Sequence, residues 1–325
     1  MNLSISSPSY TNTARSKNLQ NKSRVSFGGN PEVKMCGTHD KPSILAAMTA
    51  AKEAKADNLM IGLLLGITHE SKEKVKTEDA PDLIKYAKEL SFNLNTPVKL
   101  ACVTHLTKSD ELINLITTIE KNSLNGKDGL INKAEQAKKD FGYQNTEKMT
   151  SKIFDVIQIH DSMPMEEIAK VKKAFPEKSI IKAVHVPKQG ESYNLDELVN
   201  QAIGIAQKPF VDGLLLDSSN LAANQIGGTG LTNNWDVARA IIDTVHSQTG
   251  KPVALAGGLN PDNVTQSIEK THADMIDANS GYRFDRKGGF WKPSNKQETS
   301  PKDTFAVYNI LNQSKKLDTN FSFFA

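Results

Sequence analysis

The sequence predicts an α/β fold, a single (β/α)8 TIM barrel of parallel strands. Eight short apolar runs alternate with stretches of helical periodicity, and the runs are rich in Val, Ile and Leu, as strands covered on both faces are. Polar or small residues follow the runs, where barrel enzymes gather their chemistry. A chain of 325 residues can hold such a barrel, which takes about 250. A doubly wound open sheet is the alternative arrangement of the same units.

The strands are read at residues 33–36, 59–65, 98–103, 156–160, 180–186, 213–216, 253–256 and 275–278. Helical spacing fills residues 41–55, 79–90, 109–121, 165–175, 195–207, 235–248 and 260–271 between them. Asp79 precedes a helix with Pro81 in its first turn, and Asn260-Pro261 opens another in the same way, because proline has the right φ there and no N–H to lose.

Two stretches exceed what a barrel needs. Residues 122–152, after the third strand, contain a second amphipathic run, INKAEQAKKDF, read as an extra helix. Residues 283–302, after the eighth, form a long basic loop with Phe290 and Trp291, either a lid over the catalytic face or a surface insertion. The barrel domain is therefore expected over residues 32–313, between a tail at 1–31 and another at 314–325.

Composition narrows the partners. The 40 basic and 37 acidic residues leave a net charge of +3, too small and dispersed an excess for a nucleic-acid partner. Cys36 and Cys102 are too few for a disulfide framework and lack zinc spacing, and the 7 histidines form no HxH or HExxH pattern, so no metal is expected. No apolar run approaches the ~20 residues of a spanning helix, so no membrane partner is expected and the protein is expected in the cytoplasm. Residues 1–31, with Arg15, Lys17, Lys22 and Arg24 and no acid before Glu32, read as a disordered tail or as a transit segment to an organelle stroma or matrix.

Candidate chemistry sits at the strand ends. In VKMCG, Cys36 is either a buried structural thiol or a reactive one, with Lys34 on the same side of the strand to lower its pKa. The competing use of Lys34 is an interior salt bridge. In LLLDSS, Asp217 leaves an apolar strand, where burial can hold a proton on it for general-acid work, or it caps the next turn. Cys102, inside VKLACVTHL, reads as structural.

Three small-residue turns follow: Gly228, Thr229 and Gly230 in IGGTGLTNNW, Gly257 and Gly258 in ALAGGLNPDNV, and Ser280 and Gly281 in DANSGY. Glycine lets backbone N–H groups approach an anion, and the loops after strands seven and eight form the usual barrel phosphate site, so the expected partner is a phosphorylated small molecule. None of these turns is a Walker or dinucleotide fingerprint, so no cofactor is expected.

Taken in order, VKMCG, VIQIHD, LLLDSS, GGTGLTNNW, LAGGLNPDNV and DANSG resemble the phosphoribosylanthranilate isomerase family of tryptophan biosynthesis, over residues 33 to about 312. The resemblance implies a cofactor-free Amadori rearrangement of N-(5-phosphoribosyl)anthranilate to 1-(2-carboxyphenylamino)-1-deoxyribulose 5-phosphate. It implies Cys36 as general base and Asp217 as general acid, with Lys34 and His160 in the substrate site.

The departures mark a divergent member. Family members carry S-P-R after strand two, the arginine engaging the anthranilate carboxylate, whereas this chain reads ESKEKV with Glu73 at the gapless match. Lys72 or Lys74 is the expected substitute, although an ammonium lacks the planar fork of guanidinium. Q-L-H-G appears as Gln158-Ile159-His160-Asp161, L-T-R as Thr38-His39-Asp40, and the acidic residue after the S-G of strand eight as Tyr282-Arg283. The alternatives are an isomerase or epimerase of another sugar phosphate and a non-catalytic phosphometabolite-binding barrel.

Overall fold

The structure is a computed structural model that describes residues 31–188, 191–220, 225–226, 233–283 and 302–315. Strand β1 (Glu32–Met35) pairs in parallel with β2 (Leu59–Leu64), which leads through β3 (Lys99–Thr104) and β4 (Val156–Ile159) to β5 (Ser179–Pro187). From β5 the ladder passes to β6 (Gly213–Asn220), and a two-residue strand β7 (Gln225–Ile226) lies antiparallel on the far end of β6. Beyond it, β8 (Val253–Leu255) pairs with β6 and with β9 (Met275–Ala278), and β9 returns to β1. The ring of eight parallel strands is closed, which excludes the open-sheet alternative.

Helices α1 (Lys41–Ala54), α2 (Ala80–Leu94) and α3 (Ser109–Leu124) cover the first strands. The insertion after β3 contains the expected extra helix, α4 (Leu130–Phe141), and a single turn, α5 (Glu147–Thr150). The outer layer continues with α6 (Met165–Ala174), α7 (Leu195–Ala206), α8 (Trp235–Thr249), α9 (Val264–Thr271) and α10 (Thr304–Ser314). Most of the long loop after the eighth barrel strand, residues 284–301, lies outside the described residues. No described helix is long and apolar enough to cross a membrane.

Local chemistry sets the ends of these elements. Asp40 caps α1 by accepting the Ser43 N–H at 2.7 Å. The Asn260-Pro261 start is corrected: α9 begins at Val264, because Asn263 accepts the Asn260 N–H at 2.9 Å and donates to the Gly258 carbonyl at 3.0 Å, holding residues 260–263 as a turn. Strand β6 runs past the expected residue 216 to Asn220, since β5 continues beside it and pairs as far as Pro187 with Ser219.

Strand alternation sorts the core into two layers. Met60, Ala101, Val156, Ile181, Leu215, Ala254 and Met275 pack inside the barrel, and the intervening residues pack against the helices. Cys102 belongs to the outer layer; it is fully buried, which pushes its thiol up to about 12 and leaves it inert.

The bottom of the barrel repeats one device. Asp155, Asp212 and Asp274 each precede a strand and accept the first N–H groups of the neighbouring one, from Leu100 at 2.9 Å, Ile180 at 2.7 Å and Val253 at 2.8 Å. Asp274 also accepts from His246 Nε2 at 2.7 Å. Losing the acceptor strands a buried N–H, so Asp274→Ala should lower unfolding free energy by about 1–3 kcal/mol. A urea titration should read this as an earlier midpoint with an unchanged slope.

Candidate active site

At the C-terminal end of the barrel the inward-facing positions become polar. Lys34 and Cys36 follow one another on the inner side of β1, Gln158 and His160 on that of β4, and Asp217 and Asp277 project from β6 and β9. The fully buried Lys34 ammonium joins them, donating to Asp277 Oδ2 at 2.6 Å and Gln158 Oε1 at 2.7 Å and lying 3.5 Å from Cys36 Sγ. Across the barrel, His160 Nε2 stands 3.3 Å from Asp217 Oδ2. Cys36 and Asp217 thus share one end of the barrel, joined by a run of polar contacts through Lys34, Gln158 and His160. Lys34 has both of its expected uses at once, the interior salt bridge and the contact with the thiol.

The electrostatics correct two expectations. The Cys36 thiol is raised to about 11: burial raises it, and the pull of Lys34 is too small to reverse that while Asp277 and Glu73 push the same way as burial. The expected lowering by Lys34 is present as a contribution but not as the outcome. Burial also acts to raise Asp217, yet the hydrogen bond and charge of His160, with His185 and the Ser218 N–H, outweigh it and leave the carboxyl below its ordinary value. Burial alone therefore does not keep a proton on Asp217. The Ser218 N–H at 2.7 Å on Asp217 Oδ1 means that the turn-capping reading also holds.

Four consecutive strands bring histidines to this mouth. His69, His105, His160 and His185 form a row with ring centroids 4.8, 5.1 and 5.5 Å apart. Burial, followed by the neighbouring His160, pushes His105 and His185 down to about 4, so both are neutral at pH 7. Among the described residues no group of three or more His, Cys, Asp or Glu could hold a metal ion. The sequence reading missed this row because the histidines lie far apart in the chain; their shared position at or just past strand ends was the available signal.

A second polar cluster borders Cys36. Glu73 Oε1 lies 2.6 Å from Arg283 Nη2, Glu73 Oε2 accepts from Asn279 Nδ2 at 2.5 Å, and Lys302 donates to the Asn279 carbonyl at 2.8 Å. Burial, then Arg283, pushes Lys302 down to about 7. Gly37 is needed here: its φ is +63°, and a Cβ would lie 2.6 Å from Glu73 Oε2 and 2.7 Å from Asn279 Oδ1. Lys72 and Lys74, expected to face the substrate, are corrected: both are exposed, and the Lys74 ammonium lies 3.7 Å from the surface Glu70, while the residue between them turns inward.

Gly257 and Gly258 adopt φ of +92° and +61° after β8, and Ser280 and Gly281 form a 3-10 turn after β9. The two turns abut, for a Cβ on Gly281 would collide with the Leu259 carbonyl oxygen. Gly228, Thr229 and Gly230 lie outside the described residues.

Residues 143–284 match the family model described as N-(5'phosphoribosyl)anthranilate (PRA) isomerase. The chain is similar to N-(5'-phosphoribosyl)anthranilate isomerase 2 of Methanosarcina mazei, 32% identical over 49% of this chain and 59% of the relative. It is also similar to the isomerase of Crocosphaera subtropica, 38% identical over 38% of this chain and 51% of the relative. The chain is thus similar to phosphoribosylanthranilate isomerases over part of its length. Its match spans between half and three fifths of these curated relatives. In fold it resembles the isomerases of Pyrococcus furiosus and Thermotoga maritima, each with a TM-score of 0.55 at 19% identity, covering 88% of this chain and 100% of the other.

The arginine and acid that the resemblance led one to expect after strands two and eight stand here with the signs exchanged, as Glu73 and Arg283. Glu73 and Arg283 nevertheless meet as a pair.

Proposed function

We propose that this protein is a phosphoribosylanthranilate isomerase, and the observation that carries the reading is the common end of the barrel shared by Cys36 and the His160–Asp217 pair. The substrate's phosphate would sit against the abutting turns at Gly257, Gly258, Ser280 and Gly281, whose N–H groups suit an anion. Asp217 in its protonated form, which burial favours, protonates the ribose ring oxygen. The C1′–O bond breaks with its electrons on that oxygen, and the nitrogen lone pair forms the iminium.

Cys36 as thiolate then takes the C2′ proton, and the C–H electrons form the C1′=C2′ bond and neutralise the iminium. The enolamine tautomerises to the aminoketose. The iminium is a cation beside the sulfur and favours its ionised form, offsetting the burial that raises the resting thiol. Arg283 and Lys302 lend positive charge to the mouth where an aromatic carboxylate is to be held. A structure of a related isomerase in complex with reduced 1-(o-carboxyphenylamino)-1-deoxyribulose 5-phosphate, with a TM-score of 0.53, supports a phosphorylated ligand of this kind.

The test is addition of freshly generated phosphoribosylanthranilate to purified protein, following loss of anthranilate-type fluorescence. Absence of turnover by the folded protein overturns the reading. A second reading, isomerisation of an aminoaldose phosphate with an uncharged aglycone, is favoured by the Glu73 carboxylate in the mouth. Turnover of such a substrate without turnover of phosphoribosylanthranilate would decide for it. Gly281→Ala forces the two phosphate turns apart, and overpacking of about 1–3 kcal/mol should appear as a KM raised about tenfold or more.

A further inference from the structure

We propose that Gln158 is a positioning residue, turned by Lys34 so that its amide N–H₂ faces His160 Nδ1 and holds that nitrogen without a proton. The neutral His160 ring then carries its one proton on Nε2, where it faces Asp217.

Donor and acceptor inventories fix the direction. A lysine ammonium has only donors, so the Gln158 atom 2.7 Å from Lys34 Nζ must be the carbonyl oxygen. The other end of the amide is then a donor, and it lies 3.5 Å from His160 Nδ1. A protonated Nδ1 would set N–H against N–H inside a buried site, which is unfavourable. His160 must therefore accept at Nδ1 and donate from Nε2 to Asp217.

Nothing else around the ring, among the described residues, replaces this control. His160 is flanked by His105 and His185 at centroid distances of 5.1 and 5.5 Å, and the carboxylate Asp217 lies on its Nε2 side. Asp161 is beside His105, 4.0 Å from its Nδ1. Gln158 itself is 1% exposed, so water does not compete for its amide. The amide is in turn aimed by Lys34, which Asp277 anchors at 2.6 Å. One chain of side chains thus sets both the surroundings of Cys36 and the protonation of the pair at Asp217.

The inference rests on the proposed isomerase for its catalytic meaning, but its test reads the imidazole directly. In protein labelled with ¹⁵N-histidine, long-range ¹H–¹⁵N spectra at pH 7 should give His160 an unprotonated Nδ1 and a protonated Nε2. Gln158→Glu, which points an acceptor at Nδ1, should put a proton on Nδ1 at the same pH. Gln158→Met should leave Nδ1 with no donor and give a state intermediate between the two.

If turnover is present, both variants should lose about tenfold or more in kcat with little change in KM, a part of the ~10²–10⁴ that a placed acid contributes. A doubly protonated or Nδ1–H His160 in the parent overturns the proposal, as does an identical histidine spectrum in all three proteins. A parent without turnover but with the expected spectra refutes the isomerase reading and leaves the positioning role standing.

Discussion

Cys36→Ala is expected to lower kcat/KM by about 10²–10⁴-fold, the contribution of one placed proton acceptor, while the protein keeps its melting temperature to within a few degrees. The sulfur is partly exposed and its only side-chain hydrogen bond in the described residues is the long one from Lys34, so its removal leaves little unsatisfied. Asp217→Asn should give a comparable loss for the opposite reason: an amide keeps the shape of the turn but has no proton to transfer.

The pH profile separates a base from a mere contact. Because the resting thiol is held at about 11, the thiolate fraction grows about tenfold per pH unit below that value. The parent's kcat/KM, which reports groups of the free enzyme, should therefore still be rising with pH above 7, and this rise should vanish in Cys36→Ala. A Cys36→Ala protein as fast as the parent would remove Cys36 from the mechanism even if isomerisation occurs.

Lys34→Met is expected to cost about 3–5 kcal/mol of stability, the usual consequence of taking one partner from a buried ion pair. The loss is large because Lys34 serves several groups at once, the Asp277 carboxylate and the Gln158 carbonyl among them. Burial works against its charge, but Asp277 and Cys36 outweigh this and hold the ammonium above its ordinary value. Asp277, also pushed up by burial, has one oxygen that finds no hydrogen-bond partner in the described residues.

The sign of the pH dependence follows. A carboxyl raised in the folded state binds its proton more tightly there than when unfolded, so its stabilisation is present in acid and is lost as pH rises through the folded value. Without Lys34 that rise is greater, and the variant's deficit should grow from acid to neutral pH. The double variant Lys34→Met, Asp277→Leu should recover much of the loss, because no buried charge is left alone. Urea titrations at pH 4 and 7 test both statements. A deficit that is independent of pH would mean that Asp277 does not titrate with the pair.

Much of the barrel could be read from the chain. The apolar runs ending near Met35, Leu64, Ile159 and Ala278 are short, branched and continuous, which is how a strand buried on both faces is encoded. The extra helix α4 announced itself by its amphipathic spacing. Boundaries failed where a contact distant in sequence, or a local side-chain bond, decided them: β6 is prolonged by its neighbour β5, and α9 is delayed by the Asn260–Asn263 turn. Helix α10, which packs on α1 and completes the eighth unit, was not read at all.

The candidate site divides in the same way. The order of motifs along the chain determined which residues stand at strand ends, because strand length and alternation are local properties: Cys36, His160, Asp217, Gly258 and Gly281 followed from them. What those residues do to one another depends on distances between segments that are remote in sequence. Only the tertiary structure put Glu73 against Arg283, gathered the histidine row, raised the Cys36 thiol despite Lys34 and lowered Asp217 despite burial. Charge and burial act through space, and a one-dimensional pattern carries neither the distance nor the solvent exposure on which they depend.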